Sequence, residues 1–170
     1  MRSRLLFLLL VLSAGCAKQV DLPDIVVAAS SKGEFAQFRT DLGKRFSGEQ
    51  LKDFDTATRE LQLEAMNRDI ASADAREADM LRAVQGKTVG AVVILGWGAR
   101  KARFQREIAD ITGMLERDLA LASKSATAGT PDSIKRRIGS EREVLAQLQR
   151  HLAETEHHLA EMPMPAKLAP

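Results

Sequence analysis

Ile134 to Met162 reads IKRRIGSEREVLAQLQRHLAETEHHLAEM. Positions 134, 138, 141, 145, 148, 152, 155, 159 and 162 follow one another in alternating steps of four and three. Seven are apolar (Ile134, Ile138, Leu145, Leu148, Leu152, Leu159 and Met162), and Glu141 and Thr155 are the exceptions. That alternation lays all nine on one stripe of an α-helix, and four heptads of it are the mark of coiled-coil packing. Just upstream, Thr130-Pro131 predicts the helix start, with Thr as N-cap and Pro at the first helical position. Beyond Met162 the proline-rich stretch 163–170 is expected to be a frayed tail.

A one-sided helix needs a partner. Phe104, Ile108, Ile111, Leu115 and Ala122 carry a second heptad stripe, with Asp118 as its polar member. Between the two stripes, Ser123 to Thr130 is a small-residue loop long enough to reverse the chain, so the two helices are expected to pair antiparallel. Further upstream, Ser47-Gly48-Glu49-Gln50 reads as a capping box opening a long helix. Its stripe runs Leu51, Phe54, Thr58, Leu61, Ala65. It then slips one place to Met66, Ile70, Ala73, Glu77, Met80, Val84, the drift of a straight helix on a seven-residue grid. Ser31-Lys32-Gly33-Glu34 is a second capping box, opening a shorter helix with Phe35, Phe38 and Leu42 on one face and Gly43 weakening its end. Ile25-Val26-Val27 is a β-prone run expected to dock on the helices.

Gln85-Gly86-Lys87-Thr88 interrupts the long pattern. Either the chain turns there, giving a three-helix bundle, or one helix continues from 48 to about 122, roughly 110 Å long. A turn would lay the acidic stretch Asp69, Asp74, Glu77, Asp79 beside the basic one Arg100, Lys101, Arg103, Arg106. The fold class is therefore all-α: an elongated antiparallel helical hairpin or three-helix bundle with coiled-coil character, spanning 31–162. Composition agrees, with no Tyr, one Trp and no proline between 32 and 130.

The chain opens with Arg2 and Arg4, an apolar run Leu5 to Leu12, and then Ser13-Ala14-Gly15-Cys16. This is the layout of a secretory signal, and its apolar core of about ten residues is too short for a bilayer span of roughly 20. Leu12 to Cys16 resembles the lipobox of bacterial lipoproteins, a likeness confined to residues 1–17. It implies a signal peptide over 1–15, cut before Cys16, and acylation of Cys16, followed by a tether over 16–30. Two or more acyl chains anchor a protein stably. Ala17, where an Asp often retains such proteins at the inner membrane, implies the outer membrane, facing the periplasm. Cys16 is the sole cysteine, so no disulfide within the chain is available and packing alone must hold the fold. Cleavage removes Arg2 and Arg4 and leaves 23 basic against 23 acidic residues. The sequence pI near 8.8 thus reflects the leader and is no sign of nucleic-acid binding.

No nucleophile–base–acid set is visible, and an enzyme is not expected. Gly86-Lys87-Thr88 matches the end of a phosphate loop, but Leu81 stands where that motif needs Gly. His151, Glu154 and His158 lie at i, i+3, i+7 and read as a solvated flank rather than a metal site. No cofactor and no metal are called for. Trp97, Arg100, Arg103 and Phe104 form a basic-aromatic stretch with Lys101 and Arg106, read either as a buried aromatic seam with solvated arginines between or as the candidate interaction surface. Gly90, Gly96 and Gly98 lie beside it and permit close helix approach. The expectation is a lipid-anchored periplasmic interaction or adaptor module of the cell envelope, its partners the membrane and a protein or a second copy met through helix faces. The alternatives are a homo-oligomeric coiled-coil spacer resting on Leu145, Leu148 and Leu152, and a carrier binding a hydrophobic ligand near Val92 to Trp97.

Overall fold

The computed structural model describes residues 20–68, 70–124 and 129–162. Among them are five α-helices: α1 Lys32–Arg45, α2 Gly48–Asn67, α3 Ala73–Val84, α4 Val89–Lys124 and α5 Asp132–Glu161. A 3₁₀ turn, Leu22–Asp24, precedes them. The described residues are all-α, and their five helices do not form the simple hairpin or three-helix bundle expected. None of the described helices is long and apolar enough to cross a membrane.

The capping residues act largely where the sequence placed them. The Ser47 hydroxyl accepts from the Gln50 amide while the Gln50 side chain accepts from the Ser47 N–H, a complete capping box. At α1 the Ser31 hydroxyl accepts from the Glu34 amide, but the Glu34 carboxylate reaches one residue further back, to the amide and hydroxyl of Ser30. Those bonds hold its carboxyl below the usual carboxylate range. Thr130 is not the N-cap of α5. Pro131 takes that position, and the Thr130 hydroxyl instead donates to the Ala122 carbonyl near the end of α4.

The long helix expected over 48–84 breaks. Arg68 ends α2, and the Ser72 hydroxyl, accepting from the Ala75 amide, opens α3. The break is held from both sides. Arg76 donates to the carbonyls of Ile70 and Ala71, at 3.0 and 2.6 Å, and Asp79 accepts from Arg68 and Arg82. The one-place slip at Ala65–Met66 marks this corner; it is not helical drift.

A second reversal follows at Gly86, whose φ of +73° is left-handed backbone that glycine adopts without a Cβ penalty. The segment 25–29 is tied to this turn. Val27 N–H donates to Lys87 O, Gly86 N–H to Val27 O and Val89 N–H to Ile25 O, at 2.8 to 2.9 Å, and Val26 and Thr88 form an isolated antiparallel bridge. Val27 and Ala29 are thereby sunk into the core. The Thr88 hydroxyl accepts from the Ala91 amide and starts α4.

Two reversals make α4 run parallel to α2, so the expected acidic–basic pairing does not form. Arg103 and Arg106 meet Glu60 and Glu64 of α2, whereas Glu77 and Asp79 are taken by Lys32, Arg68 and Arg82. The core sits where α1, α2, α3, the start of α4 and the 25–29 segment converge. Phe54 lies at its centre, with the rings of Phe35 and Phe38 6.1 and 6.2 Å away. From this body α4 continues with α5 beside it, antiparallel. On α5 all nine stripe positions are buried or half-buried, and of the others only His151 and His158 are not exposed. Two of the polar members are satisfied: Thr155 donates to the His151 carbonyl at 2.7 Å, and Asp118 accepts a two-pronged bond from Arg137 of α5 at 2.7 Å.

Candidate functional site

The four residues read as an interaction surface turn inward. Phe104 is buried, and Trp97, Arg100 and Arg103 are half-buried. They form a ladder along α4: the Arg100 guanidinium lies 5.0 Å from the Trp97 ring centre and 5.3 Å from that of Phe104, and Arg103 lies 4.5 Å from the Phe104 ring. Such cation–ring contacts contribute about 0.5–1 kcal/mol each, more where water is excluded. On the α5 side, His158 and His151 cover the aromatics, with ring centres 4.1 Å from Trp97 and 5.7 Å from Phe104. His158 also reaches Asp53 of α2 at 3.1 Å, and His151 reaches Glu154 at 3.2 Å. The histidine flank is therefore half-buried packing between helices, not a solvated edge. Among the described residues no group of three or more His, Cys, Asp or Glu is placed to hold a metal.

The arginines are committed to α2. Glu60 is 5% exposed, and Arg103 grips it with two bonds of 2.9 Å, while Arg100 stands 3.6 Å away. The hydrogen bonds that Arg103 donates to Glu60, reinforced by the one to Glu107, push its guanidinium above its ordinary pKa. What brings α2 this close is Gly96, because a Cβ there would overlap the Cα, Cβ and carbonyl oxygen of Ala57. Gly90 likewise sits against Pro23, while Gly98 faces open space. Of the three glycines, two serve close approach.

An apolar cleft beside the expected ligand site is about 160 Å³, bordered by Leu22, Pro23, Phe54, Val93, Ile94 and Met162 among others. Ligand pockets run to about 300–1,000 Å³, so this one offers no room for a lipid tail. Cys16 lies outside the described residues.

A different surface emerges further along α4. Helix α2 ends at Asn67, level with Arg106, which pairs with Glu64 at 2.5 Å. The side of α4 that α2 covers continues past that point. Steps of seven from Gly96 reach Arg103, Asp110 and Arg117, with Met114 between the last two. Asp110, Met114 and Arg117 are all exposed. On α5 the matching line runs back from His158 through His151 to Val144 and Arg137, and Val144 is 39% exposed. The α4–α5 groove thus holds α2 near the body and stands open beyond it. A cleft of about 280 Å³ marks the step, lined by Glu64, Asn67, Arg103, Arg106, Glu107 and Asp110. Within the arm the buried Oε2 of Glu141 has no hydrogen-bond partner among the described residues. Sequence reasoning missed this groove. Its residues follow legible spacing, but its emptiness depends on where α2 stops. No family model, curated protein or solved structure matches the chain.

Proposed function

We propose that this protein is a lipid-anchored interaction module of the bacterial cell envelope, whose docking element is the distal arm formed by residues 107–124 of α4 and 132–148 of α5. The observation that carries the reading is the open continuation of the α2-binding groove, with Met114 37% and Val144 39% exposed inside it. Helices recognise grooves of this kind through an apolar stripe. Direction supports the reading too. Leu22 and Pro23 sit beside Val89, Gly90 and Val93 at the start of α4, so the chain coming from Cys16 arrives at that end. The arm's tip lies at the far end of a 36-residue helix, about 54 Å away. A module held to a membrane through Cys16 would present its arm away from the lipid.

The spacer alternative loses ground, because Leu145, Leu148 and Leu152 already face α4 and are half-buried there. The carrier alternative loses ground for want of volume.

Two measurements test the reading. Replacing Cys16 with Ala is expected to abolish incorporation of labelled palmitate and to move the protein out of the membrane fraction; unchanged fractionation would remove the anchor from the proposal. Cross-linking in intact cells, followed by affinity recovery and mass spectrometry, tests the arm. The full-length protein is expected to yield a defined adduct, and Met114→Glu combined with Val144→Glu is expected to lose it while melting like the parent. An adduct that survives this double change would place docking elsewhere.

A further inference from the structure

We infer that the end of the body where α4 begins is a seat for the phospholipid headgroups of the bilayer that takes the acylated Cys16, with Val20, Val26, Arg45, Phe46 and Lys87 as its contact residues. The inference rests on the anchor proposed above. Three observations carry it.

The first is how little chain lies between anchor and body. Of the tether expected over 16–30, residues 20–29 are bound to the helices. The Val20 carbonyl accepts from Arg45 at 3.4 Å, Pro23 lies against Gly90, and Ile25 and Val27 are hydrogen-bonded to the turn at 86–89. Residues 17–19 alone separate Val20 from Cys16, and four Cα steps span at most about 14 Å. The headgroup layer takes about 5–7.5 Å of that, half the difference between the full bilayer and its hydrocarbon core. The remainder, about 7–9 Å, is less than the width of one helix with its side chains, about 10–12 Å. A body held through Cys16 therefore cannot stand clear of the lipid surface.

The second is which end of the molecule is held. Gln50 in the first turn of α2, Val89 and Gly90 at the start of α4, and Met162 just past α5 line one cleft with Leu22 and Pro23. Helix α1 ends at Arg45, just before α2 begins, and α3 ends at Val84, just before α4. Helix termini thus gather into a base beside the chain that comes from Cys16, and the arm leads away from it.

The third is the surface of that base. Val20 and Val26 are 49% and 50% exposed, more than most large apolar side chains among the described residues. The Arg45 guanidinium lies 5.2 Å from the Phe46 ring centre, and Lys87 is exposed next to Thr88, the bridge partner of Val26. Apolar groups that enter the headgroup layer, flanked by long cations that reach phosphate, make an interfacial contact. Asp21 and Asp24 are exposed at the same end, so net charge does not hold the base down. The short connection does.

The test uses the full-length, acylated protein in vesicles of phosphatidylethanolamine and phosphatidylglycerol, a fraction of whose headgroups carry a nitroxide quencher. A fluorophore is attached at Val26→Cys or, as control, at Lys124→Cys on the arm; acylated Cys16 offers no competing thiol. The Val26→Cys label is expected to lose about half of its emission or more, and the Lys124→Cys label, about 54 Å along α4, almost none. Twenty Gly and Ser residues inserted after Ala17 give a connection of about 25 Å and are expected to cut the quenching at Val26→Cys severalfold. Arg45→Glu combined with Lys87→Glu, at the parent length, is expected to weaken it about twofold. Protein absent from the vesicle fraction would overturn the anchor, and the seat with it. Anchored protein whose Val26→Cys label is quenched no more than the Lys124→Cys label would overturn the seat and leave the anchor. Quenching that survives the longer connection would overturn its length as the cause, and quenching unmoved by the charge changes would remove Arg45 and Lys87 from the seat.

Discussion

Gly96→Ala is expected to destabilise the fold by about 3 kcal/mol or more, lowering the melting temperature by roughly 10 °C. The added Cβ would fall on the Cα, Cβ and carbonyl oxygen of Ala57, and these are mainly backbone atoms that no rotamer change can move aside. Helix α4 would have to withdraw from α2. That withdrawal would loosen the Arg103–Glu60 bonds and the contacts of Val92 with the core at the same time. Ala57→Gly in the same chain is expected to rescue only partly, since it removes one of the three overlapped atoms. Gly98→Ala, two residues away, has nothing within 4 Å of its new Cβ. It is expected to be neutral or to stabilise by up to about 1 kcal/mol through helix propensity. Thermal melting of the three variants checks the set. Equal effects at the two glycines would mean that the α2–α4 approach is not what Gly96 serves.

Arg103→Met is expected to cost about 3 kcal/mol, because it strands the Glu60 carboxylate at 5% exposure. Arg100, 3.6 Å from Glu60, offers only partial relief, since its own charge is already spread over the Trp97 and Phe104 rings. Replacing both partners, Glu60→Met with Arg103→Met, removes the stranded charge along with the pair. It is expected to recover most of the loss. Urea unfolding of the two single variants and the double variant reads the coupling directly. A double variant as unstable as the sum of the singles would show that the pair acts through packing alone. Arg103, with Arg100 3.6 Å from the same carboxylate, is engaged with Glu60 of α2 in this arrangement.

The helices of the chain were legible in local terms. The α5 stripe was readable to the residue, because a heptad register depends only on spacing along one helix. The caps at Ser31 and Ser47 were equally plain, since a hydroxyl reaching an amide three residues on is a local contact. The misreadings share a different origin. The corner at 68–72 is held by Arg76 and Asp79, whose partners only a broken helix brings near. The stretch Trp97 to Phe104 allowed both a buried aromatic seam and a surface, because it is rich in arginine. An arginine's exposure is set by which carboxylates come to meet it, and Glu60 lies 43 residues earlier. His151 and His158 looked solvated because the partners that flank them, Phe104, Trp97 and Asp53, come from two other helices.

By itself the sequence determined that this is an all-helical chain, where most of its helices begin, and which face of α5 is buried. The likeness of Leu12 to Cys16 to a lipobox is also a matter of local spacing, and the anchor read from it is a proposal. Tertiary structure alone decided that α4 lies parallel to α2, that Gly96 is the point of contact, and that α2 stops halfway along α4. The physical reason is range. Periodicity and capping act within a turn or two of one helix. The direction of a reversal and the length over which two helices meet are set by contacts between residues tens of positions apart, and no local pattern encodes them.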